Sequence, residues 1–239
     1  LATDTPARMK PFGITSPPDF NSTISPYDMK LFIGRIMQYG YTGPISTSWR
    51  SQNASDAETL AQAMATQVLI WETVVGDEMD FNHISPGSYD AVKSVVSTAH
   101  PLYSQFISYY NSIEASVQRH SAIPSFMAKT PGKAQNVELA WNGTNYTATL
   151  TDSNNVLSNY SFSANEDGIS FSVSGNKLVI TAATAPSDSV RITASKSGAT
   201  RRGIITWTDG RYAPGSGIQD VISYAQEVND PVQAFLNLK

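Results

Sequence analysis

Around Pro131 the spacing of apolar residues changes from one that suits helices to one that suits strands, and this change limits the fold most tightly. Ahead of it, Ser25-Pro26 makes a good helix start, and Met29, Phe32, Ile33, Ile36 and Met37 recur at the spacing of one helical face. Gly40 is placed to end that helix in the left-handed conformation. After a loop from Gly43-Pro44 to about Asn53, a second helix is expected from near Ser55 or Asp56 to just before Gly76. A short helix follows around Tyr89–Thr98. A longer one begins at Pro101, with Leu102, Phe106, Tyr110, Ile113 and Val117 facing inward. Beyond Pro131 the pattern is strand, turn, strand. Val137–Trp141 and Tyr146–Leu150 flank the hairpin signal Asn142-Gly143-Thr144-Asn145. Turns at Asp152–Asn155 and Gly175-Asn176 precede strands near 178–181, 190–194, 204–207, 220–225 and 232–238. The expectation is a single α+β module over 1–239: an extended segment 1–24, a mainly helical portion 25–130, and a mainly β portion 131–239. The β portion reads as an antiparallel sandwich or barrel, with the helices packed on it or inserted into it.

Composition narrows the function. Only 15% of the 239 residues are charged, and Ser, Thr, Asn and Gly take up the difference, as is common in secreted and cell-surface β-rich proteins. A net charge of −4, with Arg201-Arg202 the only adjacent basic pair, argues against nucleic acid as a partner. No apolar run reaches the ~20 residues that span a bilayer. With neither leader nor sorting tail, the chain reads as an excised piece or mature fragment, and as a monomer. It holds no cysteine, so disulfides, zinc–thiolate sites and a cysteine nucleophile are absent as written. His83, His100 and His120 lack metal-ligand spacing and read as surface or capping residues, and no cofactor is implied. Glu72 with Glu78, or Asp77 with Asp80, could be imagined as a hydrolase's carboxylate pair, but they cluster at one helix end and read as solvated or capping groups. Lys177 and Lys239, candidates for a Lys–Asn isopeptide bond, read as surface lysines.

One residue stands out in the second helix. Leu60, Met64, Val68 and Trp71 fall on one arc, and Gln67 lies within it. A buried amide without partners costs roughly 1–3 kcal/mol. Such a Gln is either a core residue satisfied by nearby backbone or a group with a task.

Thr66-Gln67-Val68-Leu69-Ile70-Trp71 resembles the glutamine motif of the thioester domains found at the tips of Gram-positive pili and surface adhesins. Arg35-Ile36-Met37-Gln38-Tyr39-Gly40-Tyr41-Thr42-Gly43 is similar to the segment that precedes the glutamine helix in that family. Ile123-Pro124-Ser125-Phe126 and the stretch from Asp230 to Lys239 are similar to later landmarks. The resemblance implies that Gln67 is the acyl donor of an internal thioester, with Thr66, Trp71, Met64 and Tyr41 walling the site. It also implies an extracellular module of a cell-wall-anchored protein, in which a lysine amine of a host or matrix protein attacks the thioester. Such a module reacts once and is not an enzyme. The runner-up is a non-covalent binding or stalk module.

The departure from the family is the missing Cys. Ala2, which follows Leu1, can stand where the Cys would be; the Cys can lie just before Leu1; or it can be naturally absent. The thioester reading further expects Gln67 to be largely buried, close to Trp71 and Met64, with its amide aimed at residues 1–5. A Gln67 side chain in solvent, or one remote from residues 1–5, would end the thioester reading.

Overall fold

Twenty-two consecutive residues without Gly or Pro, five of them Ala, make Ala54–Val75 the longest helix of the molecule's described part. The computed structural model describes residues 10–13, 27–43, 54–75, 96–187, 190–208 and 221–239. The helix expected around Tyr89–Thr98 lies almost wholly outside them, as do Ala2, His83 and the acidic residues 77, 78 and 80. Chain contacts divide the molecule into two units, Leu1–His120 with Thr200–Val228, and Ser121–Ala199 with Asn229–Lys239.

The first unit contains α1 (Tyr27–Tyr39), α2 (Ala54–Val75) and α3 (Tyr103–His120). It also contains a sheet in the order β1 (Lys10–Gly13), β9 (Thr200–Thr208), β10 (Val221–Asn229). Thus 200–228, read from sequence with the β portion, returns to the helices. Ile204 of β9 explains why: it is buried in one core with Met29, Ile33 and Ile36 of α1, Leu69 of α2 and Phe106 of α3. The expected inward residues of α3 all face that core except Leu102, which is half-buried ahead of the helix.

Gly34 sets how closely α1 lies on β9. A Cβ there would overlap the Arg202 carbonyl oxygen, a backbone atom that cannot swing aside. Gly34→Ala is therefore expected to lower stability by about 2 kcal/mol and the melting temperature by roughly 5 °C, measurable by calorimetry. An unchanged melting point would show that α1 and β9 can separate at no cost.

The second unit is a β-sandwich. One sheet runs β2 (Asn136–Val137), β11 (Gln233–Leu238), β8 (Arg191–Lys196), β5 (Tyr160–Ala164); the other runs β3 (Ala140–Trp141), β4 (Tyr146–Thr151), β7 (Lys177–Ala182), β6 (Ile169–Ser174). Inward residues of both sheets, including Leu178, Ile180, Ile192, Ala194, Leu236 and Leu238, form one core. The expected hairpin is present: Trp141 pairs with Tyr146, the Asn142 side chain accepts from the Thr144 and Asn145 amides, and Gly143 has φ +98°.

Two strand expectations change. The stretch 137–141 is not one strand, since the chain leaves β2, which pairs in parallel with β11, and crosses at Glu138-Leu139 into the other sheet as β3. Between Asn155 and Gly175, where the sequence reading placed no strand, β5 and β6 run with strict alternation. Lys177 and Lys239 are exposed.

Asp152 holds the loops at one end of this sandwich. Wholly buried, it accepts backbone N–H bonds from Ser125 (2.8 Å), Asn154 (3.0 Å) and Val156 (2.7 Å). Burial pushes its carboxyl up, but these bonds outweigh that and hold it below its ordinary value. Nearby, the Tyr160 hydroxyl donates to the Ala122 carbonyl, and burial followed by the Asp152 charge pushes it up to about 12.

Candidate functional site

The site is built around the junction of α1 and α2. α1 ends with the Gly40 amide donating to the Ile36 carbonyl at 2.8 Å. Gly40 does not adopt the expected left-handed conformation. Its smallness serves packing instead, because a Cβ there would lie 2.5 Å from Thr66 Oγ1 and 2.7 Å from Thr66 Cγ2. The next residue completes the contact: the Tyr41 amide donates to Thr66 Oγ1 at 2.8 Å. That hydroxyl in turn donates to the Gln62 carbonyl at 2.8 Å, one turn back in α2. The Tyr41 ring folds over Gly43, where a Cβ would meet the phenol oxygen at 2.6 Å. Two stretches singled out in sequence, 35–43 and 66–71, are thus fastened together through one buried threonine.

Gln67 follows Thr66 and points elsewhere. It is exposed, and among the described residues none hydrogen-bonds to its amide. This overturns the expectation of burial. Apolar residues occupy most of α2's circumference, and at about 100° per residue two arcs compete to face the core. The inward one carries Ala61, Ala65, Val68, Leu69 and Glu72, with Thr66 and Thr73 at its side. Ala61 and Ala65 are wholly buried in the core shared with α1 and α3. Gln67 lies roughly opposite that arc's centre. Leu60, Met64 and Trp71 flank it and are only half-buried, Met64 and Trp71 packing on the rim of the core. Residues 1–5, at which the amide was expected to aim, lie outside the described residues.

The acidic residue expected in solvent is instead inside. Glu72 is buried and accepts from the Tyr110 hydroxyl at 2.6 Å, so it is a core carboxylate and not a capping group. Its burial removes one half of the imagined hydrolase pair from any cleft. Lys30 of α1 is also buried, and burial holds its ammonium below the usual value. His120 likewise departs from the surface expectation: it is buried, and its Nδ1 hydrogen-bonds with the Tyr39 hydroxyl at 2.9 Å. His100 does cap, accepting from the Leu102 amide at 3.2 Å.

The later landmarks both lie in the second unit, each tied to a neighbour. Ser125 bonds to Asp152, and Ala128 exchanges two backbone bonds with Phe235 of β11, at 3.0 and 2.8 Å. Among the described residues no group of three or more His, Asp or Glu side chains could hold a metal ion, and no helix is long and apolar enough to cross a membrane.

No family model matches the chain, and neither does any curated protein. Among solved structures it is similar to the thioester domain of the Staphylococcus aureus TIE protein. They share 18% identity with a TM-score of 0.45, over 96% of this chain and 74% of that one.

Proposed function

We propose that the chain is a thioester-domain-like module of a bacterial cell-surface adhesin, with Gln67 as its acyl-donor half. The observation that supports this is the fastening of the Tyr41 loop onto α2 through Thr66, which joins two of the stretches that carry the resemblance; the exposure of Gln67 goes against the covalent step, which a denaturing gel tests. In a Cys-containing form, the thiolate attacks the Gln67 amide carbon, the C–N bond breaks, and ammonia leaves with a proton. A lysine amine of a host or matrix protein then attacks the thioester. The C–S bond breaks, an isopeptide bond forms, and the thiol is released. The exposure of Gln67 means that α2 alone does not wall the bond from water. The chain as written, without Cys, keeps an ordinary amide.

That same exposure, with the absence of Cys, favours a second reading: a non-covalent binding or stalk module of a surface protein. The two separate on a denaturing gel. A Cys-containing form incubated with host plasma or matrix extract is expected to give a boiling-resistant adduct that Gln67→Ala abolishes. Capture that is equally strong in Gln67→Ala and reversed by denaturant decides for the second reading. Shear favours the covalent device, since the lifetime of a non-covalent contact is set by its off-rate.

A further inference from the structure

The two sides of the sandwich in the second unit are finished differently. On one side the sheets end in β2 and β3, each only two residues long, and a short edge offers little to pair with. On the other side they end in β5 and β6, of five and six residues. These two edges lie together, joined by the four residues Asn165–Gly168, with the Phe162 and Phe171 rings 5.9 Å apart. Neither strand carries a charge, a proline or a glycine, the devices by which edge strands are kept from pairing. Ser170, Ser172 and Ser174 are exposed, and Val173 is 40% exposed.

We propose that β6 is a self-association edge, pairing antiparallel with β6 of a second copy about a two-fold axis at Ser172. The sequence Ile169-Ser170-Phe171-Ser172-Val173-Ser174 is complementary to itself in that register. Ser170 falls opposite Ser174 on the outer face, and Phe171 opposite Val173 on the inner face, where the partner's ring covers the exposed valine. No like charges meet. The pairing extends the four-stranded sheet into one of eight strands.

The test exploits the absence of cysteine. Residues directly opposite in an antiparallel pair have Cα atoms about 4.5–5.5 Å apart, within disulfide range. Under mild oxidation Ser172→Cys is expected to cross-link at least about tenfold faster than the exposed control Ser158→Cys. In sedimentation at about 0.5 mM, the unaltered chain is expected to show dimer, and Ser172→Lys, which sets two lysines face to face, monomer. Circular dichroism and melting of both variants should match the unaltered chain. Cross-linking of Ser172→Cys no faster than the control overturns the proposal. So does a dimer that persists undiminished in Ser172→Lys, since it would use another face.

Discussion

Ala2→Cys, or a Cys set directly ahead of Leu1, is expected to yield folded protein about 17 Da lighter than its sequence mass, the weight of the ammonia expelled when a thiolate acylates on Gln67. Exposure of the same protein to methylamine should add one amine at Gln67, and the double variant with Gln67→Ala should do neither. The effect is all or none, because a carboxamide releases ammonia only when a nucleophile is held at reacting distance. Intact-mass spectrometry reads it directly. Full mass and a free thiol in both Cys forms would leave Gln67 an ordinary surface amide and favour the non-covalent module. The exposure of Gln67 makes hydrolysis the competing loss: where water reaches the bond, the product carries Glu at position 67 with a free thiol. That species weighs about 1 Da more than the sequence, so the spectrum distinguishes a bond formed and lost from one never formed.

Asp152→Ala is expected to lower the stability of the second unit by about 3 kcal/mol. It strands the Ser125, Asn154 and Val156 amides, and the Val156 bond is buried. Asp152→Asn retains an acceptor but loses charge, and should cost about half as much. The pH dependence has a definite sign. Because the folded carboxyl lies below its unfolded value, its contribution is fully present above the unfolded pKa near 4 and is lost as pH falls through the folded one. Denaturant titrations between about pH 6 and 2 should show an acid limb in the unaltered chain that flattens in Asp152→Ala. An equally steep limb in the variant would assign acid sensitivity to other carboxylates.

Much of the architecture was legible before any coordinates. The stripe in α1, the inward face of α3 and the Asn142–Asn145 hairpin follow from local periodicity and turn chemistry, which neighbours in sequence decide between themselves. β5 and β6 were missed, although Tyr160–Ala164 and Ile169–Ser174 alternate apolar residues with serine, a short pattern that carries few large apolar side chains. The pairing of residues 35–43 with Thr66 was foreshadowed only by the presence of both stretches in one chain. Its physical cause, a glycine small enough to sit on a threonine, belongs to the packed state.

The sequence by itself determined α+β content, most element positions, the absence of a thiol, and a glutamine set among apolar residues. Only the tertiary structure decided which way that glutamine faces. α2 is apolar nearly all round, so periodicity offers two inward arcs, and the one that faces the core carries Ala61, Ala65, Val68 and Leu69 against residues of α1, α3 and β9. The same packing took Glu72 and His120 inside, where Tyr110 and Tyr39 hydrogen-bond to them, and returned 200–228 to the helices because Ile204 completes their core. Such outcomes rest on contacts between residues far apart in the chain, and no local pattern encodes them.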